Sequence, residues 1–108
     1  MHPQPVTGPV KSEIERMRNL GPACARWLEA IGVRTEAELR RMGPVDAYRL
    51  LVLRGYRPTL NLVWAIEGAL RGVHWMEIGD EDKARLRAEL EAPWDAAALL
   101  EDVQDGDG

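Results

Sequence analysis

Apolar residues recur at helical spacing along most of the chain, and nearly every run is bracketed by a start and a stop signal. Val10, Ile14 and Met17 form the first stripe, opened by Ser12-Glu13-Ile14-Glu15. In such a capping box the Ser hydroxyl and the Glu carboxylate satisfy orphan N–H groups, so a helix is predicted over about Glu13 to Asn19. Apolar positions 24, 27, 28 and 31 follow i, i+3, i+4, i+7 behind Pro22, which is preorganised for a first helical turn, and Gly32 closes that helix. Thr35-Glu36-Ala37-Glu38 is a second capping box, starting a short helix that ends near Met42. After Gly43-Pro44 a fourth helix runs to about Leu53, with Gly55 as its stop, and its near-continuous apolar stretch predicts burial on more than one side. Thr59 is placed to cap a fifth helix, Leu60 to about Arg71, the most apolar and so the central one, ended by Gly72. Asp80 is placed to cap an amphipathic sixth helix whose first turn is acidic, and Pro93 stops it. Asp95 opens a last short helix with Ala96, Leu99, Leu100 and Val103 on one face. No segment shows the alternation of a strand.

Two of these helix starts are copies of each other. Leu20-Gly21-Pro22-Ala23-Cys24-Ala25-Arg26-Trp27-Leu28 and Met42-Gly43-Pro44-Val45-Asp46-Ala47-Tyr48-Arg49-Leu50 share the pattern apolar-Gly-Pro-x-x-Ala-x-x-Leu, 22 residues apart, and Met17-Arg18 corresponds to Leu39-Arg40. The repeated unit reads as helix, tight turn, helix. The expected fold is therefore all-α, a bundle of five to seven short helices in a tandem helix-hairpin-helix, SAM-like arrangement. Residues 1–11, with Pro3, Pro5, Gly8 and Pro9, read as a flexible leader, 12–92 as the helical domain, and 93–108 as a short helix with an acidic tail.

Composition narrows the class. A chain of 108 residues suits one domain with one core, and Trp27, Trp64, Trp75 and Trp94 supply its large anchors in the absence of Phe. No apolar run reaches the length of a membrane span, and the leader has no signal-peptide pattern, so the expectation is a cytoplasmic protein without membrane contact. Cys24, the single cysteine, falls on the apolar face of its helix and reads as a small core residue. The net charge of −4 divides unevenly. Residues 1–79 carry 11 Lys+Arg against 8 Asp+Glu, and residues 80–108 carry 3 against 10. A weakly basic body thus precedes an acidic end, which leaves an anionic partner open for the body alone.

Beyond the repeat, the stretch Asn61-Leu62-Val63-Trp64-Ala65-Ile66-Glu67-Gly68-Ala69-Leu70-Arg71-Gly72-Val73-His74-Trp75, together with Leu20-Gly21-Pro22 and Gly32-Val33-x-Thr35, resembles the C-terminal domain of the TfoX/Sxy proteins, bacterial regulators of natural competence. The resemblance covers about Ile14 to Leu90. It implies an all-helical fold of the helix-hairpin-helix group in a protein that assists expression of DNA-uptake genes without being an enzyme. Full-length TfoX-like proteins carry an additional N-terminal α/β domain, so the expectation here is a stand-alone relative.

The candidate contact surface is the pair of hairpin tips with their arginines: Arg18, Asn19, Leu20, Gly21, Ala23 and Arg26 in the first copy, and Arg40, Arg41, Gly43, Val45 and Arg49 in the second. Free N–H groups at a helix start, with guanidinium groups nearby, are suited to a phosphate. DNA-binding hairpins of this type use a Gly-apolar-Gly turn followed by a basic residue. Here Asn19 and Arg41 stand at the first Gly, Ala23 and Val45 at the basic position, and Pro22 and Pro44 each remove a donor. Two readings stay open: weak, sequence-independent nucleic-acid contact, or a protein partner, with the arginines solvated or paired to Glu13, Glu15, Glu29, Glu38 and Asp46. His74 reads as structural or surface, Asn61 as a backbone tether, and Glu67 as an ion-pair partner of Arg71 at i+4. Asp80, Glu81 and Asp82 suit a helix dipole. No Ser-His-Asp set, phosphate loop or Cys/His ligand pattern occurs, so neither catalysis nor a metal or cofactor is expected.

Overall fold

The computed structural model describes residues 13–104, with side chains to residue 100. Over that range the regular elements are α1 (Pro22–Ala30), α2 (Glu36–Leu53), α3 (Leu60–Arg71), the 3₁₀ turn Trp75–Glu77, α4 (Asp80–Glu91) and α5 (Ala96–Gln104), with no strand. The fold is all-α, as the periodicity predicts. The leader, the Ser12 half of the first capping box and residues 105–108 lie outside the described residues.

α3 has the bounds its apolar run predicts, and it is central: Leu62, Val63, Trp64, Ile66 and Ala69 are all buried. One side of α3 joins a core made by Ile14, Leu28 of α1, and Leu39 and Leu50 of α2. Its other side, through Val63 and Trp64, meets Val45 of α2 and Leu86 of α4. Leu86 is the one fully buried side chain of α4, and such burial contributes roughly 1.5–3 kcal/mol. Ion pairs reinforce it: Arg71 bridges Glu67 on its own helix and Asp82 on α4, and Arg85 reaches the same two carboxylates. These pairings make α3 and α4 antiparallel neighbours.

Four expectations are corrected. Residues 13–18 form successive turns closed by Arg16 N–H to Glu13 O and Met17 N–H to Ile14 O, not a helix, yet they still bury Ile14. Thr59 and Asp80 do not cap: Thr59 occupies the N-cap of α3 without a side-chain bond, and Gly79 is the N-cap of α4. Trp94 is 39% exposed and not a core anchor. The two helices predicted on either side of Gly43 are both present within α2 and meet at a kink, where Gly43 leaves helical geometry (φ 84°, ψ 162°). The Thr35–Glu38 capping box and the Asp95 cap form as predicted.

Candidate functional site

The two sequence-equivalent turns do not share a backbone. In the first, Asn19 is left-handed (φ 72°) and Gly21 is extended. In the second, Arg41 continues the helix and Gly43 takes the positive φ. Asn tolerates that geometry because its short amide finds local or tertiary hydrogen bonds. Here Asn19 Nδ2 donates to Val73 O at 2.9 Å and its Oδ1 accepts from Trp75 N–H at 3.1 Å. The first turn is thereby fastened to the end of α3.

That fastening builds a surface. Residues Glu13 to Arg18 lie against Ala69–Gly72 and the start of α2, leaving an open depression of about 490 Å³ lined by Arg16, Arg18 and Arg71. A second depression, about 550 Å³, is lined by Arg40 and Arg41, and the two share Glu13 and Glu36. The repeat-equivalent Arg18 and Arg40 therefore come together on one face. Both shared carboxylates are engaged: Glu13 Oε2 accepts from Glu36 N–H at 3.1 Å, and Glu36 pairs with Arg40 at 2.8 Å. Arg40 also donates to Leu70 O at the end of α3. Arg16, Arg18 and Arg41 are exposed and make no ion pair with the described residues. Glu38 is turned away to its own helix start, where the Arg34 N–H and the Thr35 backbone and hydroxyl hold its carboxyl below the usual range.

Of the predicted contact residues, Arg18, Ala23, Arg26, Arg40 and Arg41 are exposed, and Gly21 and Gly43 are half-buried. Leu20 and Val45 are corrected to core residues, because each apolar tip folds inward. Asn19 spends its amide on α3. Arg49 is withdrawn as well: its side chain is 13% exposed, pairs with Asp46, donates to Glu89 O and lies 4.9 Å from the centroid of Trp94. It is a clamp between α2 and the end of α4. Glu36 is the addition, and Arg16 and Glu13, which the sequence places near the hairpins, join the face; the repeat points to Arg18 and Arg40 but carries no sign that Glu36 lies between them.

The remaining candidates have structural roles. His74 Nδ1 accepts from Met76 N–H at 3.1 Å and caps the 3₁₀ turn. Glu67 pairs with Arg71 as the i+4 spacing predicts, while Asn61 lies exposed on the first turn of α3. Cys24 is half-buried against the core. Among the described residues no group of His, Cys, Asp and Glu is arranged to hold a metal ion. No helix among them is long and apolar enough to cross a membrane.

Comparison with known proteins places this geometry. Residues 10–90 match the TfoX C-terminal domain. No curated protein matches the chain. Among solved structures the chain is similar to an uncharacterized protein from Listeria monocytogenes, with a TM-score of 0.64 and 23% identity, over 68% of this chain and 84% of that one. At that identity the likeness is one of fold.

Proposed function

The chain belongs to the TfoX C-terminal domain family, and on that premise we propose that it is a non-enzymatic docking module, acting in the regulation of competence for DNA transformation, that contacts the phosphate backbone of nucleic acid. The contact face is the pair of depressions around Glu13 and Glu36. The observation that carries the reading is the convergence there of Arg18 with Arg40 and Arg41, while Arg16 and Arg18 are exposed without an ion pair among the described residues and exposed Arg41 has only the through-space attraction of Glu38. Guanidinium groups on an open, shallow surface suit phosphates, which position a partner without reading its sequence. The two intervening carboxylates and the small number of free arginines limit the affinity, so binding is expected to be weak, sequence-independent and steeply salt-dependent.

Fluorescence anisotropy of labelled single- and double-stranded DNA across a salt series tests this. The informative variant is Arg18→Glu/Arg41→Glu, because Arg40 also ties α2 to the end of α3 and its loss would perturb the fold. Binding that falls with salt, and a salt slope about 2 smaller in the folded variant, supports the reading. Equal binding by the variant, or none at low salt, overturns it and directs the search to a protein partner.

A further inference from the structure

The large apolar side chains exposed among the described residues are Val52, Leu53, Met76 and Trp94. Three of them, Val52, Trp94 and Met76, mark two patches of opposite shape. One is concave: a groove of about 420 Å³ walled by Tyr48, Val52, Leu60, Leu90 and Trp94. The Arg49 guanidinium lies over the Trp94 ring and holds it in place. The other is convex: Met76, 69% exposed, at the tip of the 3₁₀ turn. This tip is rigid, because His74 Nδ1 holds Met76 N–H, Glu77 Oε2 accepts from His74 N–H, and Asn19 holds Trp75 N–H.

The two patches cannot meet within one molecule. The groove sits where α3 begins, at Leu60, and α4 ends, at Leu90 and Glu91, whereas the tip joins the end of α3 to the start of α4. The length of a 12-residue helix, about 18 Å, separates them. Their chemistry is nonetheless complementary. A thioether is flexible and makes favourable contacts at aromatic ring edges such as those of Tyr48 and Trp94. Exposed Glu77 accompanies Met76, and the groove lining offers Arg87 as its cation beside Glu91, its Arg49 being already paired with Asp46. Arg87 makes no ion pair with the described residues and leans only on the Trp64 ring.

We propose that copies of this chain associate head to tail, the Met76 tip of one seated in the Tyr48–Trp94 groove of the next. The contact is heterologous, so each bound copy presents a fresh groove or tip, and association continues into a ring or an open chain. The basic face around Glu13 and Glu36 is a separate surface and remains uncovered.

Sedimentation equilibrium of the full chain from about 10 μM to about 1 mM spans the affinity expected of so small an interface. The average mass should rise with concentration and pass beyond that of a dimer. Met76→Glu and Val52→Glu alter exposed positions, so both variants should fold, as circular dichroism will report, and each alone should remain monomeric. An equimolar mixture of the two should give a dimer and nothing larger, since one intact tip and one intact groove survive. A wild-type chain that stays monomeric throughout overturns the proposal. So does a Met76→Glu variant that assembles like wild type, or a mixture that does not pair.

Discussion

The amide of Asn19 occupies the space that a Cβ on Gly68 would need: its Nδ2 lies 2.7 Å from that point, with Val73 O at 2.8 Å. A glycine in the middle of α3, ordinarily unfavourable in a helix, is what lets the first Gly-Pro turn approach closely enough to donate to Val73 and accept from Trp75. Residues separated by roughly half the chain are joined in this way. Gly68→Ala should destabilise the protein by about 1–3 kcal/mol, because the amide can shift but the Val73 carbonyl cannot. Asn19→Gly keeps the backbone free to hold its positive φ and loses the hydrogen bonds; Asn19→Ala loses both and should be about 1 kcal/mol worse. Urea midpoints in the order wild type, Asn19→Gly, Asn19→Ala would bear this out, and equal midpoints for the two variants would remove the left-handed backbone from the account.

Gly43 and Gly72 separate two kinds of glycine requirement. Gly72 ends α3 in the left-handed region (φ 75°, ψ 26°), which Asn also visits, whereas Gly43 (φ 84°, ψ 162°) sits where essentially no side chain is tolerated. A Cβ would meet nothing within 4 Å at either position, so any difference is a backbone effect. Gly72→Asn should lie within about 0.5 kcal/mol of wild type and Gly43→Asn should lose about 1–3 kcal/mol, measured by denaturant unfolding. Equal losses at the two sites would mean that α2 straightens at little energetic expense.

What was legible in the sequence depended on how local its cause is. The bounds of α3, the Thr35–Glu38 box and the Glu67–Arg71 pair need only neighbours within a turn, and all three appear as expected. The hairpin repeat gives the two turns but not their backbones, because its copies differ in tertiary partners: Asn19 finds Val73 and Trp75, while Arg41 has no such anchor and stays helical. Arg49 stands beside a tip in the sequence, but its place is decided by Glu89 and Trp94, forty or more positions away. Leu20 and Val45 share the register of the tips, but their apolar side chains belong to the core. On the basic face, the repeat shows which arginines are equivalent. It does not show that the Glu13 carboxylate will reach across to the Glu36 N–H between them.

The acid limb of stability should identify the carboxylates that the fold has put to use. Asp82 is held below the usual carboxylate range chiefly by its hydrogen bond from Arg71 at 2.9 Å, with Arg85 adding to it. Glu38 is held low chiefly by the Arg34 N–H and then by Thr35. A carboxyl whose affinity for protons is lower when folded than when unfolded stabilises the fold in full above its unfolded value, near pH 4, and loses that contribution as the pH falls through its folded value. Stability should therefore be flat between about pH 5 and pH 7 with respect to these two groups and should drop below about pH 4. Asp82→Asn removes one share of that dependence. Its urea midpoint should lie below wild type at pH 7, and the two should converge as the pH falls through the lowered folded value of Asp82. Glu38→Gln keeps a capping side chain and should behave the same way at its own site. A gap between Asp82→Asn and wild type that stayed constant at every pH would show that Asp82 acts through packing, and that the Arg71–Asp82 pair is not what holds the end of α3 to the start of α4.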